Sequence, residues 1–499
     1  MNGSKASGPA KVYLVGAGPG DPGLITVKGR AMLERAGAVL YDNLASERLL
    51  DHAPASAQRI YVGKKRAEHV MPQEAISQLM IDLARRGTTV VRLKGGDPFI
   101  FARGGEEIEA LAEAGIPFEI VPGVTTPLGL AAYTGVPLTH REHTSAVTFV
   151  TGHNVASIDW AKVGAAETVV LFMGLVNLGE IAKAMIASGR AASTPAMAVR
   201  WATRPDQQTV VGTLADLADR IARAGLRPPA TIVIGEVVAL RDRFNWFERL
   251  PLFGQRIAVT RAGGQAAELA SPLEELGAEA ILLPTIEIRP PADPAPLDRA
   301  IAQLDTYDWL IFTSVNGVRG FMERLDASSS DLRNLRARIC AIGPATRAAV
   351  EALHLKVDRM PAEYVAESLV EAFAADDLSG KRILLPRAAV ARDVVPVELA
   401  RRDASVGVVE AYRTVPPEDL AQRVREVLSH KPNWIAFTSS STVNNLLAAA
   451  GREALQGIRV CSIGPVTSAT LREHGLRVDA EANPHTIPGL VEAILASVF

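Results

Sequence analysis

Cysteine is almost missing: Cys340 and Cys461 are the only two in 499 residues. That excludes a disulfide framework and a cysteine-rich zinc cluster. The nine histidines are scattered, with no HExxH and no close Cys/His pairing, so no dedicated metal site is expected. Charge of one sign is also lacking. Lys+Arg number 53 against 55 Asp+Glu, a formal net charge of -2. Nothing global draws the chain to nucleic acid or to an anionic membrane, and a polyanionic ligand would have to meet a local basic patch. No run approaches the roughly 20 apolar residues of a membrane helix. The first ten residues are polar and carry no apolar signal core. A soluble cytoplasmic protein is the expectation.

What is present is ordinary globular composition, 48% hydrophobic and 22% charged, in a chain too long for one core. Short β-branched runs alternate with Ala/Leu/Glu/Arg-rich stretches, the pattern of an α/β fold with largely parallel sheets. Strand candidates are Val12–Val15, Ala38–Tyr41, Thr89–Leu93, Phe118–Val121, Val147–Thr151, Thr168–Met173 and Ile232–Val238. A break falls in the aromatic stretch 241–255, which reads as packed rather than floppy. The expected boundary is near 248, giving domains 10–248 and 249–499.

The second domain repeats itself. Trp309-Leu-Ile-Phe-Thr-Ser314 returns as Trp434-Ile-Ala-Phe-Thr-Ser439, and Arg338-Ile-Cys-Ala-Ile-Gly-Pro344 returns as Arg459-Val-Cys-Ser-Ile-Gly-Pro465. Arg256-Ile-Ala-Val-Thr-Arg261 likewise resembles Arg382-Ile-Leu-Leu-Pro-Arg387. Two copies are too few for a solenoid and predict two similar α/β lobes facing a cleft suited to a large ligand. Both cysteines occupy equivalent positions and read as small buried hydrophobes.

The first domain places glycine at strand ends. Lys11-Val-Tyr-Leu-Val-Gly-Ala-Gly-Pro-Gly-Asp-Pro22 tempts a dinucleotide reading, but the third glycine is replaced by Asp21. Val90-Val-Arg-Leu-Lys-Gly-Gly-Asp-Pro98, Val121-Pro-Gly-Val-Thr-Thr-Pro127 and Met173-Gly174 supply three more such ends. Thr126 is the expected N-cap of a helix with Pro127 in its first position. Together these ends describe a composite pocket for a small, cationic, adenosine-like ligand.

Six ordered motifs carry a family resemblance: Gly16–Pro22, Tyr41-Asp-Asn-Leu44, Val62-Gly-Lys-Lys65, Lys94-Gly-Gly-Asp-Pro98, Val136-Pro-Leu-Thr-His-Arg141 and Val150-Thr-Gly-His153. Over about residues 10–246 the chain resembles the tetrapyrrole methylases, above all the uroporphyrinogen-III C-methyltransferases. The resemblance implies two α/β lobes with S-adenosylmethionine held between them. Pro19, Gly95, Gly96, Asp97, Ile100, Thr125, Thr126 and Met173 would then line the cofactor site. Asp42 matches the position of the general base and Lys64 that of the proton donor. The bland reading of Asp42 is a strand-end carboxylate accepting backbone N–H groups. For Lys64 it is a solvated cluster with Lys65 and Arg66. Arg103, His140 and Arg141 are candidates to grip the carboxylates of a polyacidic tetrapyrrole, or are surface charges. Many relatives of this half are homodimers, which makes self-association an expectation. One departure stands out: Ala202 replaces a glycine usual in the family.

Over about 255–499 the chain looks like uroporphyrinogen-III synthase, a pair of flavodoxin-like lobes without a cofactor. The matching pieces are Val259-Thr-Arg-Ala262, Phe312-Thr-Ser-Val-Asn-Gly317, Ala341–Pro344, Val409-Glu-Ala-Tyr-Arg-Thr414, Phe437-Thr-Ser439 and Ser462–Pro465. Tyr412 matches the tyrosine that would assist loss of water from hydroxymethylbilane; it also reads as a half-buried strand-edge residue. Thr313, Ser314, Thr438 and Ser439 are candidates to hold substrate carboxylates, though helix capping explains them equally. Arg261 and Arg387 are further carboxylate candidates. The resemblance therefore implies a bifunctional enzyme that closes hydroxymethylbilane to uroporphyrinogen III with inversion of the last ring. It would then methylate the product twice to precorrin-2. The competing reading is a Rossmann-type nucleotide-dependent oxidoreductase joined to a two-lobed binding domain.

Overall fold

The computed structural model describes residues 10–63 and 71–498. The chain divides into two compact units, 1–255 with 273–279, and 256–272 with 280–499. Among the described residues no helix is long and apolar enough to cross a membrane.

The first unit holds two five-stranded sheets. Strands β1 (Val12–Gly16), β2 (Ala38–Tyr41), β3 (Gln58–Tyr61), β4 (Val90–Lys94) and β5 (Phe118–Val121) form the first, in the order β3-β2-β4-β1-β5. Every pairing in it is parallel. Its central strands are buried on both faces because helices cover both sides; Val12, Leu14, Val39, Leu40, Val90 and Val91 are fully buried. All five strand ends therefore point the same way, and their loops gather along one edge.

The second sheet contains β6 (Val147–Thr151), β7 (Thr168–Phe172), β8 (Pro195–Arg200), β9 (Gln208–Thr213) and β10 (Ala230–Ile234), in the order β6-β7-β10-β8-β9. Only β6 and β7 pair in parallel; the other three pairings are antiparallel. This departs from the expected parallel architecture. The short loop 201–207 closes β8 onto β9 as a hairpin, which a parallel pair cannot do. The expected strand Ile232–Val238 also ends early, at Ile234. Gly235 has φ 154°, and the following residues, Glu236–Leu240, coil into a 3-10 turn.

The aromatic stretch is packed as expected. Phe247 is buried against Tyr133 and Phe253, and the Trp246 indole N–H donates to the Ala132 carbonyl at 2.8 Å.

The second unit is the duplicated one. One lobe contains β11 (Arg256–Val259), β12 (Glu279–Leu282), β18 (Trp434–Phe437), β19 (Arg459–Ser462) and β20 (Ala480–Glu481), in the order β12-β11-β18-β19-β20. The other contains β13 (Glu287–Arg289), β14 (Trp309–Phe312), β15 (Arg338–Ala341), β16 (Arg382–Ala388) and β17 (Ser405–Val415), in the order β13-β17-β16-β14-β15. The repeat is a repeat of register. Trp309 lies opposite Arg338 as Trp434 lies opposite Arg459, and Cys340 and Cys461 hold matching places. The two lobes differ in chain order: the second is inserted between β12 and β18 of the first.

Candidate active sites

In the first unit, three loops are locked together by backbone contacts that only glycine permits. Gly18 and Gly96 exchange hydrogen bonds of 3.2 and 2.7 Å, both with φ in the left-handed region. A side chain on Gly16 would stand 2.5 Å from the Gly123 Cα and 2.7 Å from the Gly96 carbonyl oxygen. The ends of β1, β4 and β5 therefore meet at van der Waals distance. Asp97 braces them further, its carboxylate accepting from the N–H of Phe99 at 2.8 Å and of Gly123 at 3.0 Å.

Pro19 packs against Gly129, where an added Cβ would fall 2.3 Å from the proline ring. The loop after β8 closes on the same segment. The N–H of Asp21 donates to the Thr203 hydroxyl at 2.9 Å, while Asp21 accepts from the Tyr133 phenol and, at 2.7 Å, from the Gly23 N–H. Burial and the Asp21 carboxylate push the Tyr133 phenol well above the ordinary tyrosine range. Met173, Trp201 and Thr203 all have φ between 51° and 71°, as do Phe101 and Arg103 at 52° and 58°. Non-glycine residues in this region are uncommon and mark positions that the surroundings over-determine. All five lie on the loops that follow β4, β7 and β8. Phe101 and Met173 are exposed apolar side chains on those loops, as is Leu128 on the helix Thr126–Thr134, and Phe101 rests on Phe172 with ring centroids 4.9 Å apart.

Thr125 and Thr126 both sit at the helix Thr126–Thr134, but the expected cap shifts by one residue. Thr125 is the flanking residue, and its hydroxyl makes no capping bond. Ala202 is 4% exposed, its methyl packed with Leu130, Val136 and Val199. That methyl lies in the core.

Asp42 ends β2. One carboxylate oxygen accepts from the Leu44 N–H at 3.0 Å, as the bland reading requires. The other accepts from the Arg92 guanidinium at 3.2 Å. Arg92 is 4% exposed and belongs to a buried ionic cluster with Lys94 and Glu107, the last completely buried. A single oxygen of Glu107 takes Arg92 Nε at 3.2 Å, Lys94 Nζ at 2.9 Å and Gln73 Nε2 at 3.0 Å. Burial and the neighbouring guanidinium pull the Lys94 ammonium below the usual lysine range, with Glu107 opposing. Sequence reasoning passed over this cluster. The signal was present: two cations at alternate positions of the apolar run Val90–Lys94 share one face of a strand buried on both sides.

The remaining expected residues scatter more widely. Gly95, Gly96 and Ile100 lie on the loop after β4. Arg103 is exposed and bound through two nitrogens to Glu106, at 2.8 and 2.6 Å. His140 accepts the Glu142 N–H at 3.2 Å and stacks on His143 at 4.8 Å, while Arg141 is exposed. Lys64 lies outside the described residues. A shallow depression lined by His143, Glu167, Arg190 and Thr194 lies at the opposite end of the second sheet from Met173.

In the second unit the expected residues gather at the carboxyl ends of equivalent strands. Ser314 caps the helix Val315–Asp326 by accepting the Gly317 N–H at 3.0 Å, and Ser439 caps Ser440–Ala450 by accepting from Thr442 at 3.4 Å. Capping is thus real for both serines. Ser314 adds a second contact, 3.0 Å to the Tyr412 phenol oxygen, where Ser439 instead meets Ser441. Tyr412 reaches it because the β16–β17 ladder slips there, from Arg387 opposite Glu410 to Ala388 opposite Tyr412. Such a bulge re-aims the side chain that follows it.

Thr313 and Thr438 are half-buried at the two strand ends. Arg261 pairs with Glu268 at 3.0 Å and with Gln265 at 3.3 Å. Gln265 in turn bridges to Asn316 of the other lobe at 3.3 Å. Arg387 is bound to Asp393 and, at 3.0 Å, to the Arg392 carbonyl. Both cysteines are buried and reduced; burial pushes the Cys340 thiol up to about 12 and the Cys461 thiol higher still.

Comparison with known proteins divides the chain in the same two parts. Residues 11–218 match the family described as tetrapyrrole (corrin/porphyrin) methylases, and residues 267–492 match uroporphyrinogen-III synthase HemD. The chain is 34% identical over 491 residues to the porphyrin biosynthesis protein HemD of Ruminiclostridium josui, with 97% of each chain covered. It is 52% identical over 242 residues to the siroheme synthase of Chromobacterium violaceum, a match spanning 48% of this chain and 52% of that protein. The chain therefore covers about half the length of the siroheme synthases it matches.

Among solved structures, the uroporphyrin-III C-methyltransferase of Thermus thermophilus complexed with S-adenosylhomocysteine is 41% identical. It covers 46% of this chain and 100% of its own, with a TM-score of 0.41. A mutant uroporphyrinogen III synthase, also of Thermus thermophilus, is 22% identical, covers 49% and 98%, and has a TM-score of 0.38.

Proposed function

Because the chain belongs to the family of porphyrin-biosynthesis proteins that join a tetrapyrrole methylase to a uroporphyrinogen-III synthase, we propose that it closes hydroxymethylbilane to uroporphyrinogen III and methylates that product twice to precorrin-2. It is a bifunctional enzyme of tetrapyrrole biosynthesis, a methyltransferase and a synthase in one chain. The oxidoreductase alternative has no support: the loop after β1 lacks the third glycine, and both halves match other families.

The first unit suits S-adenosylmethionine by the chemistry of these loops. Glycine backbone at Gly95 and Gly96, the uncapped Thr125, and apolar Met173 and Phe101 offer polar and apolar walls to an adenosine-like molecule. The donor supplies a sulfonium methyl, an electrophile for an electron-rich pyrrole carbon. The protein's own work is alignment, and removal of one proton after each transfer. In this reading Asp42 takes that proton. Its carboxylate is fixed by Leu44 and Arg92, yet its side chain remains 21% exposed. This held but accessible carboxylate is the observation that carries the reading. Lys64 completes it as proton donor, and Arg103, His140 and Arg141 as carboxylate ligands of the substrate.

In the second unit, Ser314 accepts from its helix, so its hydroxyl proton is available to the Tyr412 oxygen. The phenol proton is then available to the departing hydroxyl of hydroxymethylbilane, which leaves as water. Arg261, Arg387, Thr313, Thr438 and Ser439 hold substrate carboxylates, and ring closure needs no cofactor. Self-association through the first unit and a cytoplasmic location belong to the same reading.

The test is an anaerobic assay of the full chain. Hydroxymethylbilane alone should give uroporphyrinogen III, and added S-adenosylmethionine should carry it to the dimethylated product. Asp42→Asn should lower methyl transfer by about 10²-fold or more while leaving ring closure intact. Absence of S-adenosylhomocysteine binding to the wild-type chain would overturn the reading.

A further inference from the structure

We infer that Glu107 is a positioning residue for methyl transfer, acting through Arg92, which it locks against Asp42, and balanced by Lys94. The inference rests on the reading of Asp42 as proton acceptor. Its basis is a hydrogen-bond account that leaves the guanidinium one orientation. Nε of Arg92 goes to Glu107, Nη1 to the carbonyls of Leu93 at 3.0 Å and Leu40 at 3.5 Å, and Nη2 to Asp42. Rotating the Arg92 side chain to release Asp42 would break its contact with Glu107. Because Asp42 is bound to Leu44 on its other oxygen, both carboxylate oxygens are fixed relative to β2 and β4.

Charge explains why Lys94 is included. Arg92 and Lys94 bring two positive charges into a site shielded from water, and Glu107 and Asp42 bring two negative ones. Removing Glu107, Arg92 or Lys94 alone leaves a buried charge uncompensated.

Stability does not explain why the cluster exists. The surrounding core of Ile76, Met80, Ile81 and Leu111 is apolar, and a buried ionic group replaced by apolar side chains of like volume is often neutral or stabilising. Glu107 also leaves its second oxygen, Oε2, buried without a hydrogen-bond partner among the described residues. An acceptor left unmade in this way is destabilising. Such an arrangement persists where it does something that packing cannot. Here the adjacent end of the cluster is the one accessible carboxylate, Asp42.

The test compares Glu107→Gln and the charge-balanced Lys94→Met/Glu107→Leu with wild type and Asp42→Asn, all in the full chain. The measurements are kcat and the S-adenosylmethionine KM for methyl transfer, S-adenosylhomocysteine affinity by calorimetry, and ring closure. Both cluster variants should lower kcat about tenfold or more, with donor KM and S-adenosylhomocysteine affinity within about twofold of wild type. Ring closure should not change. A purely structural role would instead lower S-adenosylhomocysteine binding together with kcat, and that result overturns the inference, as would failure of both variants to fold. If Asp42→Asn is inactive while both cluster variants keep wild-type kcat, this inference alone falls. If Asp42→Asn stays active, the assignment of Asp42 falls and takes the inference with it.

Discussion

The second unit contains its own control. Its two lobes share strand motifs, register and a capping serine at the same strand end, yet beyond its cap Ser314 meets Tyr412 while Ser439 meets Ser441, at 3.0 Å. The difference arises in the neighbouring strand. In the inserted lobe β17 is 11 residues long and bulges beside Arg387, which turns the phenol toward the cap. In the other lobe β12 is only four residues long. The chain after it ties Thr285 to the carbonyls of Thr260 and Thr442, at 3.2 and 3.3 Å. What the lobes share builds the fold; what distinguishes them marks the chemistry.

The largest effect expected from this contrast is at Tyr412. Tyr412→Phe keeps the ring and its packing but removes the proton, so ring closure should fall by about 10²-fold or more. Methyl transfer by the same preparation should be unaffected. Equal loss of both activities in a folded protein would mean that Tyr412 supports structure alone.

Next is the serine pair. Ser314→Ala and Ser439→Ala each remove a helix cap, so thermal or denaturant unfolding should register about 1 kcal/mol in both. Ring closure should separate them. Ser314→Ala loses the bond to the phenol and should slow closure by about tenfold, the worth of one hydrogen bond. Ser439→Ala holds no such bond and should stay well above Ser314→Ala. Equal rates would erase the asymmetry between the lobes.

Most of this architecture was legible before any coordinates. The runs Val12–Val15, Ala38–Tyr41 and Phe118–Val121 became strands within a residue of the expected limits, the first two because buried parallel strands are written as continuous apolar residues. The duplication was legible because matched sequence produced matched register. The antiparallel half of the second sheet was not, since short apolar runs carry no direction. Tyr412 was legible only through its family motif; the bulge that aims it depends on pairing with a strand more than 20 residues away. The Arg92–Glu107 cluster escaped for a different reason. Alternating charges in a strand usually read as a solvated face, and here tertiary packing buried that face.

The smallest expected effect is at the matched cysteines, where the two lobes should behave alike. Cys340 and Cys461 are both fully buried, and burial raises both thiols, with the Arg359 guanidinium partly opposing it at Cys340 and the Asp479 carboxylate adding to it at Cys461. With Cys340 pushed up to about 12, its thiolate is scarce at pH 8, and Cys461 lies further still from ionising. Iodoacetamide at pH 8 should therefore label neither cysteine while the protein is folded, and both once denaturant is added. Neither enzymatic activity should change on exposure to the reagent. Selective labelling of one cysteine in the native protein would show that its lobe opens on its own, and the lobes would then differ in stability as well as in chemistry.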